Sequence, residues 1–317
     1  MHTKEHIKEN TAGLAEKYGE EQMKKWLLAA VKNLKEEERR SLEEQLREPC
    51  LEWEDDARQL REVSFSPFYF SKKEQLQEFL EKIENPKENA ILLSDDTAWL
   101  EEAKQSQIAR IGYQPCGVQE FLSGCDLVVE CMKGIEPELL NRTIQRECGI
   151  PWMVLQTERL IVREFAMSDL DALFALYAGE GMTEFIEPLY PYEQEKEYQQ
   201  AYIENVYRYF GYGMWLVLEK KSGRLIGRAG IEPRAERDGE LELGYAIGWS
   251  YQRKGYATEV CRAICGYCKE YLGMEELFCA IEPENEASLA LSKKLGFVFE
   301  KECENSGKRM CIMRCIL

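Results

Sequence analysis

The sequence predicts an α/β protein of two parts: a helical segment with a small Rossmann-like α/β region, followed by a second domain of strands and helices. With 317 residues the chain exceeds the size of one ordinary domain, and its 44% apolar content is enough to build two cores. Between residues 90 and 148, short apolar segments alternate with helical ones, a pattern typical of parallel strands joined by crossover helices. We therefore predict a boundary within Gly149–Trp152, which gives domains 1–152 and 153–317.

The opening segment is predicted to be helical from residue 1 to about residue 65, since it is rich in Glu, Lys, Gln and Leu and nearly free of Gly and Pro. One apolar face of this helix would combine Trp26, Leu27, Ala30, Val31 and Leu34. Pro67 is the predicted end of the segment. The elements predicted after it are a helix over 72–83, strands at 90–93, 108–113 and 126–130, and helices over 97–104 and 137–148.

The charge balance and the cysteine and histidine content exclude several classes of function. The chain has 41 Lys and Arg against 58 Asp and Glu, a net charge of −17. This charge disfavours nucleic acid and anionic membrane as partners and favours cationic or amine-bearing substrates. Its apolar runs fall short of the roughly 20 residues that span a bilayer, and its charged N-terminus does not resemble a signal peptide. We therefore expect a soluble cytoplasmic protein whose 12 cysteines are reduced. With His2 and His6 as the two histidines, no His-based triad can form and no metal is expected.

The second domain is predicted to alternate strands with amphipathic helices. A hairpin is expected around Lys221-Ser222-Gly223. The predicted strands are 160–163, 214–219, 225–231, 240–247, 277–281 and 310–316, and the predicted helices open at residue 168 and cover 192–209, 257–272 and 286–295.

One segment of this domain, Tyr251–Thr258, carries the clearest chemical signal. It lies between a predicted strand and a predicted helix, where the first helical N–H groups and the helix dipole attract anions. Gly255 lets the main chain approach a bulky phosphate, and Arg253 and Lys254 add positive charge. The segment predicts a pyrophosphate site, with an ordinary basic turn before a surface helix as the alternative.

The same segment resembles the Gln/Arg-x-x-Gly-x-Gly/Ala acyl-CoA motif of the GNAT superfamily of N-acetyltransferases. The strand at 242–247 and the segments Asn285–Ser288 and Lys294–Phe297 resemble the rest of that pattern. The opening Thr157–Arg163 is similar to the first strand of the branch that acetylates the N-termini of ribosomal proteins. The resemblance covers about residues 155–317.

The resemblance implies a fold and a set of cofactor contacts. The fold is a mixed β-sheet flanked by helices and splayed between its fourth and fifth strands, with acetyl-CoA in the gap. The main chain of Tyr245, Ala246 and Ile247 would pair with the pantetheine arm, Asn285 would bind the cofactor or an ordered water, and Ser288 would lie near the sulfur. The pyrophosphate would be held by the N–H groups of Arg253, Lys254, Gly255, Tyr256 and Ala257, together with Thr258.

The reaction implied is direct attack of a neutral primary amine, a protein N-terminus or a small amine, on the thioester. It requires positioning of the amine, a route for its proton and stabilisation of the departing thiolate. Glu242 is predicted to take the proton through a water molecule; the alternatives are a solvated carboxylate or an ion pair with an arginine such as Arg228. Many relatives place a thiolate-protonating Tyr where this chain has Ser292, so that role stays unassigned. The loop at 188–192 is expected to shape the acceptor pocket.

Two further patterns have structural alternatives. Residues 91–113, with Asp95 and Asp96, resemble the last motif of haloacid-dehalogenase-type hydrolases, where an acidic pair binds magnesium. The Asp-x-Asp nucleophile of that family is not found upstream, so we predict a truncated, non-catalytic relative in which Asp96 caps a helix. Cys261, Cys265 and Cys268 have the spacing of an iron–sulfur loop, but they lie in a predicted helix and are expected to be core residues.

The sequence thus predicts an acetyl-CoA-dependent N-acetyltransferase with no nucleic-acid or membrane partner, as a monomer or a homodimer. One alternative is a catalytically silent module that senses acetyl-CoA or docks a partner. Another makes the first part a magnesium phosphatase.

Overall fold

The computed structural model describes residues 23–32, 34–54, 59–70, 72–118, 122–125, 127–234, 237, 239–305 and 307–317. The chain divides into two compact units between Trp152 and Met153. In the described ranges, no helix combines the length and the apolar composition needed to cross a membrane.

The described part of the first unit contains a six-stranded sheet with helices on both faces. Its order is β2-β3-β1-β4-β5-β6, and every neighbouring pair is parallel except β2 and β3. The strands are β1 Met23–Ala30, β2 Cys50–Glu54, β3 Gln59–Tyr69, β4 Ala90–Ser94, β5 Ala109–Tyr113 and β6 Val128–Val129. The helices are α1 Glu36–Gln45, α2 Lys73–Leu80, α3 Pro86–Asn89, α4 Thr97–Gln105 and α5 Pro137–Glu147.

The prediction of helix up to about residue 65 is wrong for β1, β2 and β3. Strand β1 is central in the sheet, and its side chains are buried on both faces: Leu27 packs with α1 and α5, whereas Leu28 packs with α2 and α4. A strand covered on both faces has a continuous apolar run rather than alternation, and such a run also fits helical spacing. The prediction holds for α1. Residues 1–22 of the predicted helix lie outside the described residues.

The predicted end at Pro67 is also wrong, because this residue lies inside β3. Strand β2 pairs with β3 only over 59–63, so Pro67 has a single neighbouring strand, β1. A proline without an N–H group is tolerated at such a position because no ladder hydrogen bond is lost on the open side. The other elements of this unit are confirmed, although the strand predicted at 126–130 is reduced to Val128–Val129 and Asp126 lies outside the described residues.

The second unit contains an eight-stranded sheet in its described residues, in the order β13-β14-β12-β11-β10-β9-β8-β7. The strands are β7 Met153–Gln156, β8 Leu160–Arg163, β9 Met214–Glu219, β10 Leu225–Arg234, β11 Glu240–Ile247, β12 Glu276–Ile281, β13 Val298–Asn305 and β14 Lys308–Ile316. The helices are α6 Leu170–Tyr177, α7 Tyr192–Tyr202, α8 Arg208–Phe210, α9 Tyr256–Glu270 and α10 Glu286–Lys294. A π-helical turn, Ile203–Tyr207, joins α7 to α8.

The predicted strands and helices of this unit are confirmed, and β7 and β13 are strands that the sequence analysis did not predict. Most β13 side chains are exposed and several are charged, so the strand lacks the apolar alternation that sequence reasoning depends on. Helix α6 begins two residues later than expected, after a short 3₁₀ turn at Met167–Asp169.

The splay in the sheet lies between β11 and β12, the fourth and fifth strands counted from β8. These strands are the parallel pair of an otherwise antiparallel sheet, and their register contains one pair, Glu242 with Phe278. On its other edge β11 pairs with β10 over its whole length, from Arg234–Glu240 to Gly227–Ile247. The C-terminal half of β11 therefore has a strand on one side and a gap on the other, as predicted.

Candidate active site

The turn before α9 has the main-chain geometry of an anion site. Gly255, the residue before the helix, has φ +84°, and Arg253 is also left-handed with φ +59°. A left-handed residue directly before a right-handed helix turns successive N–H groups toward one point, which forms a concave anion-binding nest. No side chain in the described structure caps the N-terminus of α9, so the first N–H groups of the helix face a ligand or solvent.

Arg159 is a further cation at this turn, and sequence reasoning gave it no role. Its guanidinium donates to the carbonyl oxygen of Lys254 at 3.0 Å and lies 4.4 Å from the centre of the Tyr256 ring. A Cβ atom at Gly255 would lie 3.4 Å from Arg159 Nη2. Arg159 directly precedes β8, far from the turn in the sequence, so no local pattern could have placed it there.

Two carboxylates fix the turn to the sheet. Glu259, in the first turn of α9, accepts hydrogen bonds from Arg159 Nε at 2.7 Å and from the Arg159 main-chain N–H at 3.0 Å. Burial opposes ionisation, but the hydrogen bonds from Thr157 and Arg159 hold the pKa of Glu259 below its ordinary value. Glu219 of β9 accepts a hydrogen bond from the Tyr256 hydroxyl. The turn is thus held in its left-handed conformation by the packed sheet.

The predicted pantetheine-binding residues lie beside the gap. Tyr245, Ala246 and Ile247 follow the single register pair with β12, and their partners on the other edge are Ala229, Arg228 and Gly227. Half of the main-chain groups of this segment therefore face the gap, where an extended ligand could pair with them as an added strand. The residues present thus fit the cofactor that the motif predicts.

The two remaining predicted residues lie at the start of α10, Asn285 as its N-cap and Ser288 in its first turn. Asn285 Oδ1 accepts a hydrogen bond from the Ser288 main-chain N–H at 3.1 Å, so Asn285 caps the helix and keeps its amide N–H₂ group for other partners. Ser288 lies beside the Tyr245 side chain. The Tyr245 hydroxyl is buried and, among the described residues, lacks a partner with full hydrogen-bond geometry. Burial raises the pKa of Tyr245.

Ser292 occupies the position where many relatives of the GNAT superfamily have a tyrosine. Its side chain is 3% exposed, and its hydroxyl donates to the carbonyl oxygen of Leu289 at 3.0 Å, within α10. This hydroxyl is committed to its own helix, whereas Tyr245 and Ser288 carry hydroxyl groups beside the gap.

Glu242, the predicted proton acceptor, is buried where β11 and β12 meet. It is 13% exposed, accepts a hydrogen bond from the Ala280 main-chain N–H at 3.3 Å, and is paired with Arg234 Nε. Its ion-pair partner is therefore Arg234, not Arg228. Burial raises the pKa of Glu242 more than Arg234 lowers it, and the nearby charge of Glu232 raises it further.

Glu232 and Tyr202 are site residues that sequence reasoning missed. Glu232 lies directly opposite Glu242 in the β10–β11 register, so the two carboxylates share one face of the sheet. The Tyr202 hydroxyl donates to Glu232 at 2.6 Å and accepts from the Met214 main-chain N–H at 2.8 Å. The register of the β10–β11 hairpin would have indicated Glu232, whereas nothing local indicates Tyr202 on α7.

The other candidate groups have structural partners. The two carboxylate oxygens of Asp95 accept hydrogen bonds from the Lys32 main-chain N–H, each at 3.1 Å. Asp96 caps α4 through the Ala98 N–H at 2.8 Å, as predicted, and pairs with Lys32 Nζ at 2.7 Å. On α9, Cys261 and Cys268 are buried and Cys265 is half-buried, which confirms the prediction that they are core residues. Within the described ranges, no group of three His, Cys, Asp or Glu side chains is arranged to hold a metal.

Part of the chain is similar to known acetyltransferases. Residues 159–298 match the family model described as the acetyltransferase (GNAT) domain. The chain is 29% identical over 146 residues to the uncharacterized N-acetyltransferase YoaA of Bacillus subtilis (strain 168), covering 45% of this chain and 82% of that protein. It is 26% identical over 145 residues to the uncharacterized N-acetyltransferase p20 of Bacillus licheniformis, covering 45% of this chain and 81% of that protein. The structure of the ribosomal-protein-S5-alanine acetyltransferase from Vibrio fischeri matches at 19% identity with a TM-score of 0.45, covering 51% of this chain and 95% of that one.

Residues 159–298 are therefore an acetyltransferase domain of the GNAT family, and the protein is an acyltransferase. The resemblance of this part of the chain to the GNAT superfamily is confirmed. Its similarity to the branch that acetylates the N-termini of ribosomal proteins stays a prediction. The resemblance of the first unit to haloacid dehalogenases, and the individual roles of the site residues, stay predictions.

Proposed function

We propose that the second unit transfers the acetyl group of acetyl-CoA to a primary amine, a protein N-terminus or a small amine, by direct attack of the neutral amine on the thioester. The observation that supports this most is the left-handed turn before α9, close in sequence to the open edge of β11. A diphosphate nest and an unpaired strand edge joined by a few residues suit a ligand with a diphosphate and an extended amide arm.

In this proposal the chain holds acetyl-CoA mainly through its main chain. The N–H groups of residues 253–257, with the Thr258 hydroxyl, bind the diphosphate, and Lys254 and Arg159 add positive charge. The open edge of residues 245–247 pairs with the pantetheine amides. When bound, acetyl-CoA supplies the activated thioester.

Glu242 accepts the proton of the attacking amine through a water molecule. Its carboxylate shares a sheet face with Glu232, and its raised pKa makes it a stronger base than an ordinary glutamate. Arg234 keeps the carboxylate oriented while the proton is transferred.

The Tyr245 hydroxyl stabilises the departing thiolate. It lies beside Ser288 without a partner of full hydrogen-bond geometry among the described residues, and burial keeps it protonated. An uncommitted donor held in a dry site stabilises a developing anion without first giving up another hydrogen bond.

Release of free thiol from acetyl-CoA, measured with the full chain and a panel of primary amines, tests the proposal. We expect amine-dependent release together with N-acetylated product. Tight acetyl-CoA binding without thiol release for any amine would instead indicate the silent sensor module.

Gly255→Glu tests the diphosphate site. A glutamate there places a side chain and a negative charge in the nest, so we expect the KM for acetyl-CoA to rise by at least tenfold, with a smaller change in kcat. Gly273→Glu is the matched control, since Gly273 is also left-handed, with φ +64°, but lies beyond the other end of α9 in open space. Equal kinetic effects of the two substitutions would exclude this turn as the diphosphate site.

We also propose that the first unit is a non-catalytic, cytoplasmic accessory domain. Asp95 and Asp96 are engaged by Lys32 and by the N-terminus of α4, so a magnesium ion would have to compete with these partners. A magnesium-dependent phosphatase activity that is lost in Asp95→Asn/Asp96→Asn would contradict this.

A further inference from the structure

Arg228 lies on the same face of the sheet as the proposed catalytic carboxylates. It lies on β10 opposite Ala246, four residues before Glu232. Side chains of alternate strand residues share a face, so Arg228, Glu232 and Glu242 project from the same side of β10 and β11. This is the side on which Tyr202 of α7 contacts Glu232.

The guanidinium of Arg228 has no counter-charge. Across the described residues it takes part in no ion pair; its surroundings are the tyrosines Tyr177, Tyr202 and Tyr207, of which Tyr177 shares a hydrogen bond with it. Its Nε atom is buried without a hydrogen-bond partner. Burial lowers the pKa of Arg228, but the surrounding phenol oxygens outweigh burial and raise it, so the guanidinium stays charged. These oxygens solvate the cation without neutralising it, which leaves its charge available to an anion.

Glu232 lies near the same group of tyrosines. The charges of Arg228 and Glu232 both act on the hydroxyls of Tyr198 and Tyr207. Tyr198 is 41% exposed, so this group of side chains reaches the surface. A molecule bound along this face of the sheet would meet a cation at Arg228 and two carboxylates at Glu232 and Glu242.

We propose that Arg228 binds the carboxylate of the acetyl acceptor, so that the acceptor is a primary amine that also carries a carboxylate. The inference rests on the proposed function and specifies its substrate class. A planar guanidinium can hold a carboxylate with two parallel hydrogen bonds, which places the amine end of the acceptor toward Glu232 and Glu242. This arrangement differs from the sequence-based expectation of a cationic acceptor, which used the net charge of the chain rather than the charges on this face of the sheet.

The carboxylate can belong to a free α-amino acid or to the acidic first residue of a peptide, and matched acceptors separate the two sources. One arm compares free α-amino acids with their α-amides. The other compares peptides that begin with Asp with peptides that begin with Asn. Each pair differs in one carboxylate, so the ratio of kcat/KM within a pair measures recognition of that group.

We expect the full-length protein to favour the carboxylate member of at least one pair by tenfold or more. Arg228→Gln should reduce this ratio to about one, Arg228→Lys should keep an intermediate ratio, and Arg262→Gln, at an exposed arginine of α9, should leave it unchanged. An equal loss for both members in Arg228→Gln, with the ratio kept, would assign Arg228 a structural role and overturn the proposal. A wild-type ratio of one in both arms would also overturn it.

A binding measurement separates failure of this inference from failure of the proposed function. If no amine in the panel releases thiol, the shift in unfolding temperature is measured for the same amino acids and amides with CoA present. Stabilisation by the carboxylate compound that Arg228→Gln abolishes supports the site even in a silent protein. Equal shifts for both compounds, or none, overturn it.

Discussion

Two buried glutamates, one in each unit, have pKa values displaced in opposite directions. Glu52 on β2 is 5% exposed and contacts Lys25, Arg61 and Gln145 at 2.9 to 3.4 Å. Burial would raise its pKa, but the two cations outweigh burial and hold it below the ordinary value. For Glu242, burial outweighs the single arginine and raises the pKa. The number of fixed partners, rather than burial alone, decides the direction.

The same contrast extends to the buried cations. Lys25 is 3% exposed and donates to Asn141 at 2.7 Å as well as facing Glu52, so the charges of the first unit form a closed network. Arg228 in the second unit has no such network among the described residues. A closed network supports the fold, whereas partly satisfied charges are available to bind a ligand or to react.

The largest effect is expected for Glu242→Gln. The amide keeps the shape of the side chain but cannot accept the amine proton, so kcat should fall by roughly 10²- to 10⁴-fold, with the KM for acetyl-CoA nearly unchanged. The matched control is Glu240→Gln, on the same face of β11, whose carboxylate pairs with Arg237 and Arg314. Steady-state thiol release measures both. A similar kcat for the two variants would remove Glu242 from the proton route.

The pH dependence sharpens this assignment. Because the pKa of Glu242 is raised, its base form is lost at a higher pH than for an ordinary glutamate, and activity should fall on acidification with a midpoint above 4.5. The free energy of unfolding depends on pH in opposite directions for Glu242 and Glu52. The contribution of Glu242 to stability is present below its unfolded pKa and is lost as the pH rises through the raised pKa of the folded state. The contribution of Glu52 is present above 4.5 and lost as pH falls through its lowered pKa. An acid limb that persists in Glu242→Gln belongs to another group.

Lys25→Met should destabilise the first unit without reducing acetyl transfer. Removing the lysine leaves Glu52 buried with fewer partners, which costs about 3–5 kcal/mol in comparable buried pairs. Denaturant unfolding of the full chain measures the loss, and Lys24→Met, at the exposed neighbouring residue on β1, is the control. The double variant Lys25→Met/Glu52→Met should recover most of the stability, since both charges are then absent. A double variant as unstable as Lys25→Met would show that packing, not charge, dominates there.

Features that depend on contacts between residues close in sequence were predicted, whereas features that depend on contacts between distant residues were not. The turn at 251–258 and the strand before it are contiguous, so local geometry and a motif were sufficient to identify them. Strand β1 was mistaken for helix because its burial comes from helices on both faces, which a single segment cannot show. Arg159 and Tyr202 reach the site through contacts with residues 30 to 100 positions away. No spacing rule covers such pairs.

Tyr245→Phe should have an intermediate effect. It removes only the hydroxyl proposed to stabilise the thiolate, so we expect kcat to fall by roughly 10- to 100-fold while the KM for acetyl-CoA stays within about twofold. Tyr267→Phe, on α9, is a control for loss of a tyrosine hydroxyl elsewhere in the same core. Tyr245→Phe should reduce kcat less for an acetyl thioester with a better leaving group, because that thiolate requires less stabilisation as it departs. Equal losses for both thioesters would indicate that the hydroxyl acts in packing.

The smallest effect is expected for Arg253→Gly, because the substitution removes one cation from the turn and also relieves its left-handed strain. A non-glycine residue at φ +59° costs roughly 1 kcal/mol, which glycine regains in part while losing entropy on folding. We expect the KM for acetyl-CoA to rise a few-fold and the free energy of unfolding to change little. Arg253→Ala loses the same charge but keeps the strain, so it should show the same KM and a lower stability. If the KM for acetyl-CoA instead differed between the two variants in step with their free energies of unfolding, Arg253 would act through the conformation of the turn and not through its charge.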